Sequence, residues 1–519
     1  MMIMPEQYLM GVDIGTYSSK GVLVNADTGD VIGSHEIEHG LSMPRPGWVE
    51  QDADEIWWGE FVAICRNILD SSGINPKDVK GIGTSGIGPC VLPVDEDGHP
   101  LRPAILYGID ARAQEEMDMY EKELGREYIF SLTGSNLSTS SSGPKILWIK
   151  NHEPDVYERT RWFLTCQSYL VYRLTGQATV DVYSACSYAP LMDVEKICWI
   201  DKEQAGINPR KALPDMLWSC EIAGEVTASA ARETGLAEGT PVIAGTIDAA
   251  AEAISAGISQ VGDMMAMFGS SNSLIFRTQN FVRTEKFWGL NWLEPNTYVV
   301  VGGMATVGSL TRWFRDHLSP LEMEAQRKEG INAYAALSKL LDLSPLGANG
   351  LIALPYFEGE RTPINDPNAV GVLFGLRLKH TRADIYRALL ESIGFGIRHN
   401  MDAMHFEGVV PRQIIAVGGG TKNLAWMQII ADIANIRLII PDQQMGASYG
   451  DAFMAGVGVG IFTNQSEINK WVKHTRVVEP CEVNHVRYEP LYRIYNNLYW
   501  STKDLVKDLT AFKENALKF

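Results

Sequence analysis

Short apolar runs alternate with amphipathic segments along the chain, which is the pattern of an α/β protein. Near the amino terminus, YLMGVDIGTYSSKGVLVNADTGDVIGSHEI predicts three strands joined by polar turns, because apolar and β-branched residues alternate between them. The next segment, DADEIWWGEFVAICRNILDSSG, has apolar residues at helical spacing and a capping-type start, and predicts a helix. VKGIGTSGIGPCVLPVD then predicts a strand, a glycine-rich loop and a second strand.

Two later segments contain turns made of small residues. VGDMMAMFGSSNSLIFRT predicts a second hairpin, whose turn is GSSN. AVGGGTKNLAWMQIIADIAN predicts a short strand, a turn at residues 418–420, and an amphipathic helix with Leu424, Met427 and Ile430 on one face. A glycine turn at a helix start suits an anion or the edge of a nucleotide, although it is also a common structural turn.

The turn of the first hairpin, GVDIGTYSSKG, combines glycines, hydroxyl side chains, a lysine and an aspartate. Glycines permit tight turns, and hydroxyl and backbone N–H groups can bind anionic oxygens. Asp13 would repel a phosphate unless a cation lay between them. Neither the P-loop pattern nor the dinucleotide fingerprint fits the spacing. The stretch indicates a nucleotide–metal loop, with an ordinary polar hairpin as the alternative.

The length of 519 residues predicts more than one domain. Because each half carries one phosphate-type hairpin, we expect two related domains, residues 1–255 and 256–519. The net charge of −18 argues against a nucleic acid or an anionic membrane as the main partner. No apolar run is long enough to span a bilayer, and MMIMPEQ does not read as a signal peptide.

The cysteines and histidines point to a cytoplasmic protein without a dedicated zinc site. Seven cysteines are scattered without a C-x-x-C pair, as expected for reduced thiols in a cytosol. The ten histidines show no spacing typical of zinc ligands.

Several segments together resemble the FGGY family of carbohydrate kinases, within the sugar kinase, actin and Hsp70 fold group. GVDIGTYSSKGVLV resembles the first phosphate hairpin of the family, and FGSSN the second phosphate loop. SSSGPKILWIKNH resembles its first signature, with Lys145, Trp148 and His152 in matching places, and HTRADIYRALLESIGFGI its second. GGGTKNLAWMQIIADI resembles the adenosine-binding turn and helix, and PYFEGERTPINDPNAVGVLFGL the version found in xylulokinases.

The resemblance implies an α/β protein of two ribonuclease H-like domains with a nucleotide cleft between them. It also implies transfer of the γ-phosphoryl group of ATP to a sugar hydroxyl, a reaction that depends on positioning and charge neutralisation. Asp248, in GTIDAAAEAISAG, matches the catalytic aspartate, which would orient the hydroxyl and accept its proton. The alternative is that Asp248 caps the following helix, and both roles are compatible. Asp13 would bind Mg²⁺ through water.

The resemblance also assigns the groups expected to contact ATP. Lys20 would stabilise phosphate charge, unless it is a solvated lysine at a strand edge. The complete set comprises Gly15, Thr16, Ser18 and Lys20 in the first hairpin, Gly269, Ser270 and Gly308 for the phosphates, and Gly419, Gly420 and Asn423 for the adenosine.

The sugar pocket shows departures from the family pattern. In RPAILYGIDARA, Tyr107 stands where a tryptophan is usual, and Asp110 keeps the acid that can accept two sugar hydroxyls. The alternative for Asp110 is a surface aspartate that pairs with Arg112. In TSGIGPC, residues 87–89 are Ile-Gly-Pro where xylulokinases have Gln-Met-His and glycerol kinases an Arg–Glu pair. Gly88 and Pro89 therefore predict a substrate other than glycerol and place D-xylulose in question. They also predict a roomier, less polar wall, and with it a substrate that is less hydroxylated or bulkier at that end than D-xylulose.

The predicted function is that of a sugar kinase with ATP and Mg²⁺, acting on a ketopentose of the xylulose type. Another polyol, ketose or aldonate, such as gluconate, ribulose or a tetritol, is the alternative substrate. An actin-like nucleotide switch is the alternative from a different class. The expected partner is the small-molecule sugar, and the sequence leaves a homodimer open.

Overall fold

The computed structural model describes residues 6–200, 212–442, 446–472 and 475–516. Two compact units are present. The first comprises Met1–Ser259, Thr278–Val299 and Met445–Lys473, and the second comprises Gln260–Arg277, Val300–Gln444 and His474–Phe519. Each unit thus combines segments that are distant in sequence, while the functional domain limits of 1–255 and 256–519 stay a prediction.

The strands are short and fall in both units. In chain order they are β1 (Tyr8–Ile14), β2 (Ser18–Asn25), β3 (Val31–Glu38), β4 (Glu50–Gln51), β5 (Val79–Gly86), β6 (Leu92–Val94), β7 (Ala104–Ile105), β8 (Trp162–Leu164), β9 (Thr179–Asp181), β10 (Met192–Asp193), β11 (Cys198–Trp199), β12 (Asp215–Leu217), β13 (Ile222–Glu225), β14 (Pro241–Ile243), β15 (Thr246–Ile247), β16 (Asp263–Phe268), β17 (Asn272–Thr278), β18 (Trp288–Asn291), β19 (Tyr298–Met304), β20 (Ile352–Leu354), β21 (Val372–Phe374), β22 (Gln413–Val417), β23 (Leu438–Pro441) and β24 (Thr475–Val478).

The helices alternate with these strands. In chain order they are α1 (Gly59–Ser72), α2 (Gln114–Leu124), α3 (Arg126–Thr133), α4 (Ser142–His152), α5 (Pro154–Arg159), α6 (Cys166–Thr175), α7 (Val182–Ala185), α8 (Ala228–Thr234), α9 (Asp248–Ser255), α10 (Gly308–Leu318), α11 (Pro320–Glu329), α12 (Ala333–Ser338), α13 (Arg382–Phe406), α14 (Leu424–Ala434), α15 (Ala447–Gly458) and α16 (Glu482–Ala516).

The main sheet of the first unit has the order β13-β14-β5-β1-β2-β3, and β15 also pairs with β5. Strands β1, β2 and β3 are antiparallel neighbours, which confirms the predicted strand–turn–strand pattern of the amino terminus. Strands β5 and β14 extend the sheet in parallel. The carboxyl ends of β1, β5 and β15 therefore lie side by side.

The sheet of the second unit contains strands in the order β19-β17-β16-β22-β23-β24. Here too a central strand, β16, pairs antiparallel with the next strand in sequence and parallel with a later one, β22. The predicted GSSN hairpin is confirmed as β16–β17. Because the two units share this arrangement, the predicted α/β fold class with two ribonuclease H-like units is confirmed.

Local sequence explains where two of the predicted helices begin. Asp52 accepts a hydrogen bond from the backbone N–H of Glu55, and a π-helical turn at Ala53–Trp58 leads into α1, which confirms the predicted helix. Helix α14 starts only after a 3₁₀ turn at Gly419–Lys422, where Asn423 caps it. On the predicted apolar face of α14, Met427 and Ile430 are buried, whereas Leu424, the first residue of the helix, is 41% exposed.

Candidate active site

Strand register brings the first candidate residues together. Asp13 is opposite Ser85 of β5 in the parallel β1–β5 pair, and Ser85 is opposite Thr246 of β15. Asp248 follows two residues after Thr246, as the first residue of α9. Neighbouring strands lie about 4.8 Å apart. Asp13 and Asp248 therefore lie at the same carboxyl-terminal end of one sheet, close enough for one small ligand to contact both.

Ser85 links Asp13 to a residue that the motifs did not indicate. The Ser85 hydroxyl lies 2.9 Å from Oδ1 of Asp13 and 2.6 Å from Oδ2 of Asp451, which is in helix α15. Asp451 is fully buried, and its Oδ1 has no hydrogen-bond partner in the described part of the chain. An aspartate among the small and apolar residues of GASYGDAFMAGVG was the available signal for it.

Glycines allow α15 to approach the sheet closely enough for this contact. A Cβ atom on Gly83 would lie 2.1 Å from the carbonyl oxygen of Asp451, and one on Gly11 would lie 1.9 Å from that of Ser448. Any side chain at these two positions would push the helix away from β1 and β5. The distance from Asp451 to Ser85 is therefore fixed by backbone packing.

Asp248 lies at the start of α9, and its Oδ1 accepts a hydrogen bond from the backbone N–H of Ala249 at 2.6 Å. Burial, and after it the negative charge of Asp13, raise the pKa of Asp248 well above its usual value. Burial also raises the pKa of Asp13 to about 6, against the lowering effects of Ser85 and Lys20. Burial and the charge of Asp13 likewise raise the pKa of Glu252 to about 7. The sequence reasoning did not include Glu252.

This group of carboxyls attracts protons or a cation. Several negative charges in one low-dielectric site cannot all ionise unless a positive charge enters. Lys20, which is opposite Asp13 in the β1–β2 pair, lowers the pKa values of both Asp13 and Glu252. The site is thus suited to a hydrated divalent cation, since carboxylate oxygens and water are the ligands that magnesium prefers.

Polar side chains form hydrogen bonds with the backbone of the turn of the first hairpin. The backbone N–H of Gly15 donates to the carbonyl of Ser18 at 2.9 Å, which closes the turn. Gln51 donates to the carbonyl of Thr16 at 3.1 Å, and a ring nitrogen of His39 lies 3.1 Å from the carbonyl of Gly15. Several carbonyl groups of the turn are therefore satisfied inside the first unit.

The side chains of this turn are already engaged within the first unit. The Ser18 hydroxyl donates to Glu36 at 3.1 Å. The Thr16 hydroxyl lies 3.5 Å from the hydroxyl of Tyr107. Thr16, predicted to bind phosphate, and Tyr107, predicted to bind sugar, are thus neighbours.

Asp110 is buried and paired, which differs from the surface position considered in the sequence. The guanidinium of Arg112 donates to both of its oxygens, at 2.7 Å from Nη2 to Oδ2 and 3.0 Å from Nε to Oδ1. The backbone N–H of Val49 donates to Oδ2 at 2.6 Å. The carboxylate of Asp110 is therefore occupied by the protein, and its predicted contact with sugar hydroxyls stays a prediction.

The family signature residues hold this region in place. The guanidinium of Arg112 lies over the rings of Trp48 and Trp148, 4.1 and 5.0 Å from their centroids. Lys145 is buried, and its ammonium group donates to the backbone carbonyls of Leu106 and Tyr107. Burial lowers the pKa of Lys145 to about 8. These contacts fix the backbone that carries Tyr107.

The Gly88–Pro89 loop lies next to the start of α9. A Cβ atom on Gly88 would lie 2.7 Å from Cγ1 of Ile247, the residue that precedes Asp248. The sequence suggested a roomier wall here, but the space beside Gly88 is filled by Ile247. The wall is apolar, as predicted from the absence of polar side chains at residues 87–89.

In the second unit, the turn of the second hairpin contacts the start of α10. The backbone N–H of Gly308 donates to the carbonyl of Gly269 at 2.9 Å, and that of Ser309 donates to the carbonyl of Ser270 at 3.0 Å. A Cβ atom on Gly308 would lie 2.3 Å from the carbonyl oxygen of Gly269, so only glycine allows this contact. Gly269, Ser270 and Gly308 are thereby brought together, while their contact with phosphate stays a prediction.

A cavity of about 620 Å³ in the second unit is lined by all six residues of that unit that were predicted from the sequence to contact the nucleotide. Gly419 has open space where a Cβ atom would stand, whereas a Cβ on Gly420 would lie 2.8 Å from Cβ of Phe268. The sequence reasoning missed the remaining lining residues, among them Arg312, Tyr334 and Tyr386. Arg312 lies in α10, and Tyr334 and Tyr386 lie in α12 and α13, outside the small-residue turns on which the sequence prediction was based. The predicted residues in the lining are Gly269, Ser270, Gly308, Gly419, Gly420 and Asn423.

The fold and these sites define a phosphotransferase of the sugar kinase class. Family models for the amino- and carboxy-terminal domains of FGGY carbohydrate kinases match residues 8–255 and 264–459. The chain belongs to the FGGY family of carbohydrate kinases, whose members use ATP as phosphate donor. No helix in the described residues has the length and apolarity needed to cross a membrane.

Relatives cover nearly the whole chain. The xylulose kinase of Staphylococcus epidermidis is 32% identical over 515 residues, 98% of this chain and 99% of its own. A gluconokinase of Bacillus licheniformis is 27% identical, with 95% of each chain covered. The crystal structure of xylulose kinase from Rhodospirillum rubrum has a TM-score of 0.89 and 30% identity over 96% of this chain and all of its own.

Proposed function

We propose that this sugar kinase transfers the γ-phosphoryl group of ATP to a hydroxyl of a ketopentose of the xylulose type or of a related sugar. The observation that carries the proposal is that Asp13 lies at the carboxyl end of β1 and Asp248 follows β15, the two strands that pair with the end of β5 in one sheet. The relatives named xylulose kinase and gluconokinase support a monosaccharide or a sugar acid as the acceptor.

Asp248 is the proposed general base. One of its oxygens is held by the N–H of Ala249, so the carboxyl group has a fixed orientation. Its raised pKa makes the ionised form a stronger base than an ordinary aspartate, which suits the acceptance of a proton from a sugar hydroxyl. In phosphoryl transfer this base acts mainly by positioning the attacking oxygen.

Asp13 is the proposed contact for Mg²⁺ through water. Its Oδ1 accepts from Ser85, while its other oxygen is available to a metal-bound water. When bound, magnesium neutralises the charge of the phosphates. Lys20, on the neighbouring strand, supplies further positive charge to the site. This supports the proposal that Lys20 stabilises phosphate charge, rather than being a solvated lysine at a strand edge.

Each unit contains residues that are proposed to contact the nucleotide. In the first unit the proposed phosphate contacts are Gly15, Thr16 and Ser18. In the second unit they are Gly269 and Ser270. The 620 Å³ cavity beside Gly419 and Asn423 is large enough for an adenosine group.

The sugar is proposed to lie near Tyr107 and the Gly88–Pro89 loop. The Tyr107 backbone is fixed by Lys145, and its hydroxyl lies near Thr16. Direct sugar binding by Asp110 requires that one of its oxygens leave Arg112. Since residues 87–89 offer no polar side chain, we expect the preferred substrate to be less hydroxylated at that end than D-xylulose.

A coupled ADP-release assay over a panel of sugars tests this function. The panel contains pentuloses, hexuloses, tetritols and aldonates, each compared by kcat/KM with a sugar-free blank and with the Asp248→Asn protein. Sugar-dependent ADP release that is lost in the variant supports the proposal. ADP release that no sugar stimulates favours the actin-like switch. A preference for D-xylulose over all others contradicts the inference from residues 87–89.

A further inference from the structure

A buried carboxyl group, Asp451, lies outside the roles described above. It projects from α15 against β5, and its Oδ2 is 2.6 Å from the hydroxyl of Ser85. The same hydroxyl is 2.9 Å from Oδ1 of Asp13. The three polar groups therefore form a hydrogen-bonded chain, Asp451–Ser85–Asp13.

Ser85 cannot donate a hydrogen bond to Asp13 and to Asp451 at once if both carboxylates are ionised. A serine hydroxyl has one hydrogen and can donate to one acceptor only. If Ser85 donates to Asp13, then the 2.6 Å contact with Asp451 is a hydrogen bond only when Asp451 supplies the proton. Two ionised carboxylates would leave one contact as a repulsion between lone pairs.

The surroundings determine which carboxyl carries the proton. Asp13 is partly exposed and has Lys20 on the adjacent strand, whereas Asp451 is fully buried. Its Oδ1 lacks a hydrogen-bond partner within the described residues. An unpaired buried oxygen costs far less in a neutral carboxylic acid than in a carboxylate. Burial, with the charge of Asp13 as the next cause, also raises the pKa of Asp451 well above its usual value.

We propose that Asp451 is a positioning residue of the kinase site, protonated in the folded protein, whose Oδ2–H donates to Ser85 so that Ser85 donates to Asp13. The chain of donors would hold Oδ1 of Asp13 and leave its other oxygen directed to a hydrated cation. This role rests on the proposed function of Asp13, but the protonation of Asp451 does not.

Infrared spectroscopy of the protein without nucleotide or metal tests the protonation directly. The wild-type spectrum at neutral pH is expected to contain a carboxylic acid C=O band that is absent from Asp451→Asn. Asp181→Asn is the matched control, because Asp181 is also fully buried but both of its oxygens accept hydrogen bonds, from Gln167, Ser219 and Thr246. Loss of the band in the control alone, or no change in either variant, overturns the proposal.

Ser85→Ala keeps the test decisive if Asp451→Asn does not fold. Removing the hydroxyl takes away the acceptor of the acid, so the same C=O band is expected to shift. An ionised Asp451 has no such band, and an unchanged spectrum would therefore overturn the proposal.

Kinetic measurements show whether Asp451 acts as a hydrogen-bond donor to Ser85 or as a negative charge. The amide introduced by Asp451→Asn would keep an N–H donor toward Ser85, so we expect this variant to retain kcat and the magnesium dependence of the wild type. Asp451→Ala leaves Ser85 unpaired and is expected to lower kcat by about ten- to a hundredfold and to raise the magnesium concentration needed for half-maximal rate. Equal loss in both variants would contradict the donor role. If no sugar is phosphorylated at all, the proposed function fails while the infrared result stands.

Discussion

Oδ1 of Asp248 lies 2.6 Å from the backbone nitrogen of Ala249 in the first turn of α9. The hydrogen bond satisfies one of the free N–H groups of the helix start, and it also fixes the carboxyl group. The two roles considered for Asp248 from the sequence are therefore compatible in one conformation.

Asp248→Asn is expected to lower kcat by at least ~100-fold, because an amide cannot accept the proton of the sugar hydroxyl. The oxygen that bonds to Ala249 is retained, so the melting temperature and the Kd for ATP should stay near wild type. Asp52→Asn is the control, since Asp52 also caps a helix start and is exposed. Turnover within a few-fold of wild type in Asp248→Asn would remove this residue from the catalytic role.

Gly419→Val is expected to raise the KM for ATP at least about tenfold, since about 1.4 kcal/mol of lost contact has this effect. The added Cβ atom would have no protein atom within 4 Å, so we expect the variant to fold. Gly40→Val is the matched control, because Gly40 is exposed and also has open space at its Cβ. An unchanged KM in folded Gly419→Val would place the adenosine elsewhere.

Gly88→Ala is expected to destabilise the protein by about 1–3 kcal/mol, because the added methyl group overlaps Ile247. Ile247→Ala removes the overlapping atoms, so the double variant should lose about 1 kcal/mol less than the sum of the single losses. Chemical denaturation of the four proteins measures this coupling. Simple additivity would show that Gly88 and Ile247 do not share this space.

Asp110→Ala is expected to lower the free energy of unfolding by about 3–5 kcal/mol, because Arg112 would be left buried with less compensation. Glu324→Ala breaks an exposed pair with Lys328 and serves as the control, with little change expected. Asp110→Asn then distinguishes the contribution of Asp110 to stability from a contribution to sugar binding. A rise in the KM for sugar without a loss of stability would show direct binding of the sugar by Asp110.

Stability in the absence of metal is expected to fall as pH rises from about 4 to 7, the interval between the ordinary carboxyl pKa values and the raised ones. Asp13, with a pKa of about 6, and Glu252, with a pKa of about 7, bind protons more tightly when folded than when unfolded. The free energy of unfolding therefore decreases as pH passes from the unfolded toward the folded pKa values. Thermal melts at about pH 5 and pH 8, with and without Mg²⁺, measure the effect, and Mg²⁺ should restore stability at the higher pH.

The Asp13→Asn variant is the control for that measurement. It removes one of the crowded charges, so the difference in stability between the acidic and the basic condition should be smaller than in wild type. An equal pH difference in the two proteins would mean that Asp13 does not carry the effect.

The sequence by itself determined the two hairpins and the residues of their turns. Alternating apolar residues and small turn residues act over a few positions, so β1–β2 and β16–β17 are visible in the chain. The motif around Asp248 and the glycines at residues 418–420 were equally local. The exposure of Leu424 could not be predicted from the sequence, because it depends on what packs against the first residue of α14.

Only the tertiary structure decided which distant residues share a site. Asp451 reaches Ser85, 366 positions away in the chain, because Gly11 and Gly83 let α15 lie against the sheet. The burial of Asp110 depends in the same way on Arg112 and the tryptophan rings around it. Burial and pairing arise when segments pack, and they set the pKa values and the free oxygens of carboxyl groups. Local sequence does not specify them, since the same aspartate can be a solvated charge or a buried acid.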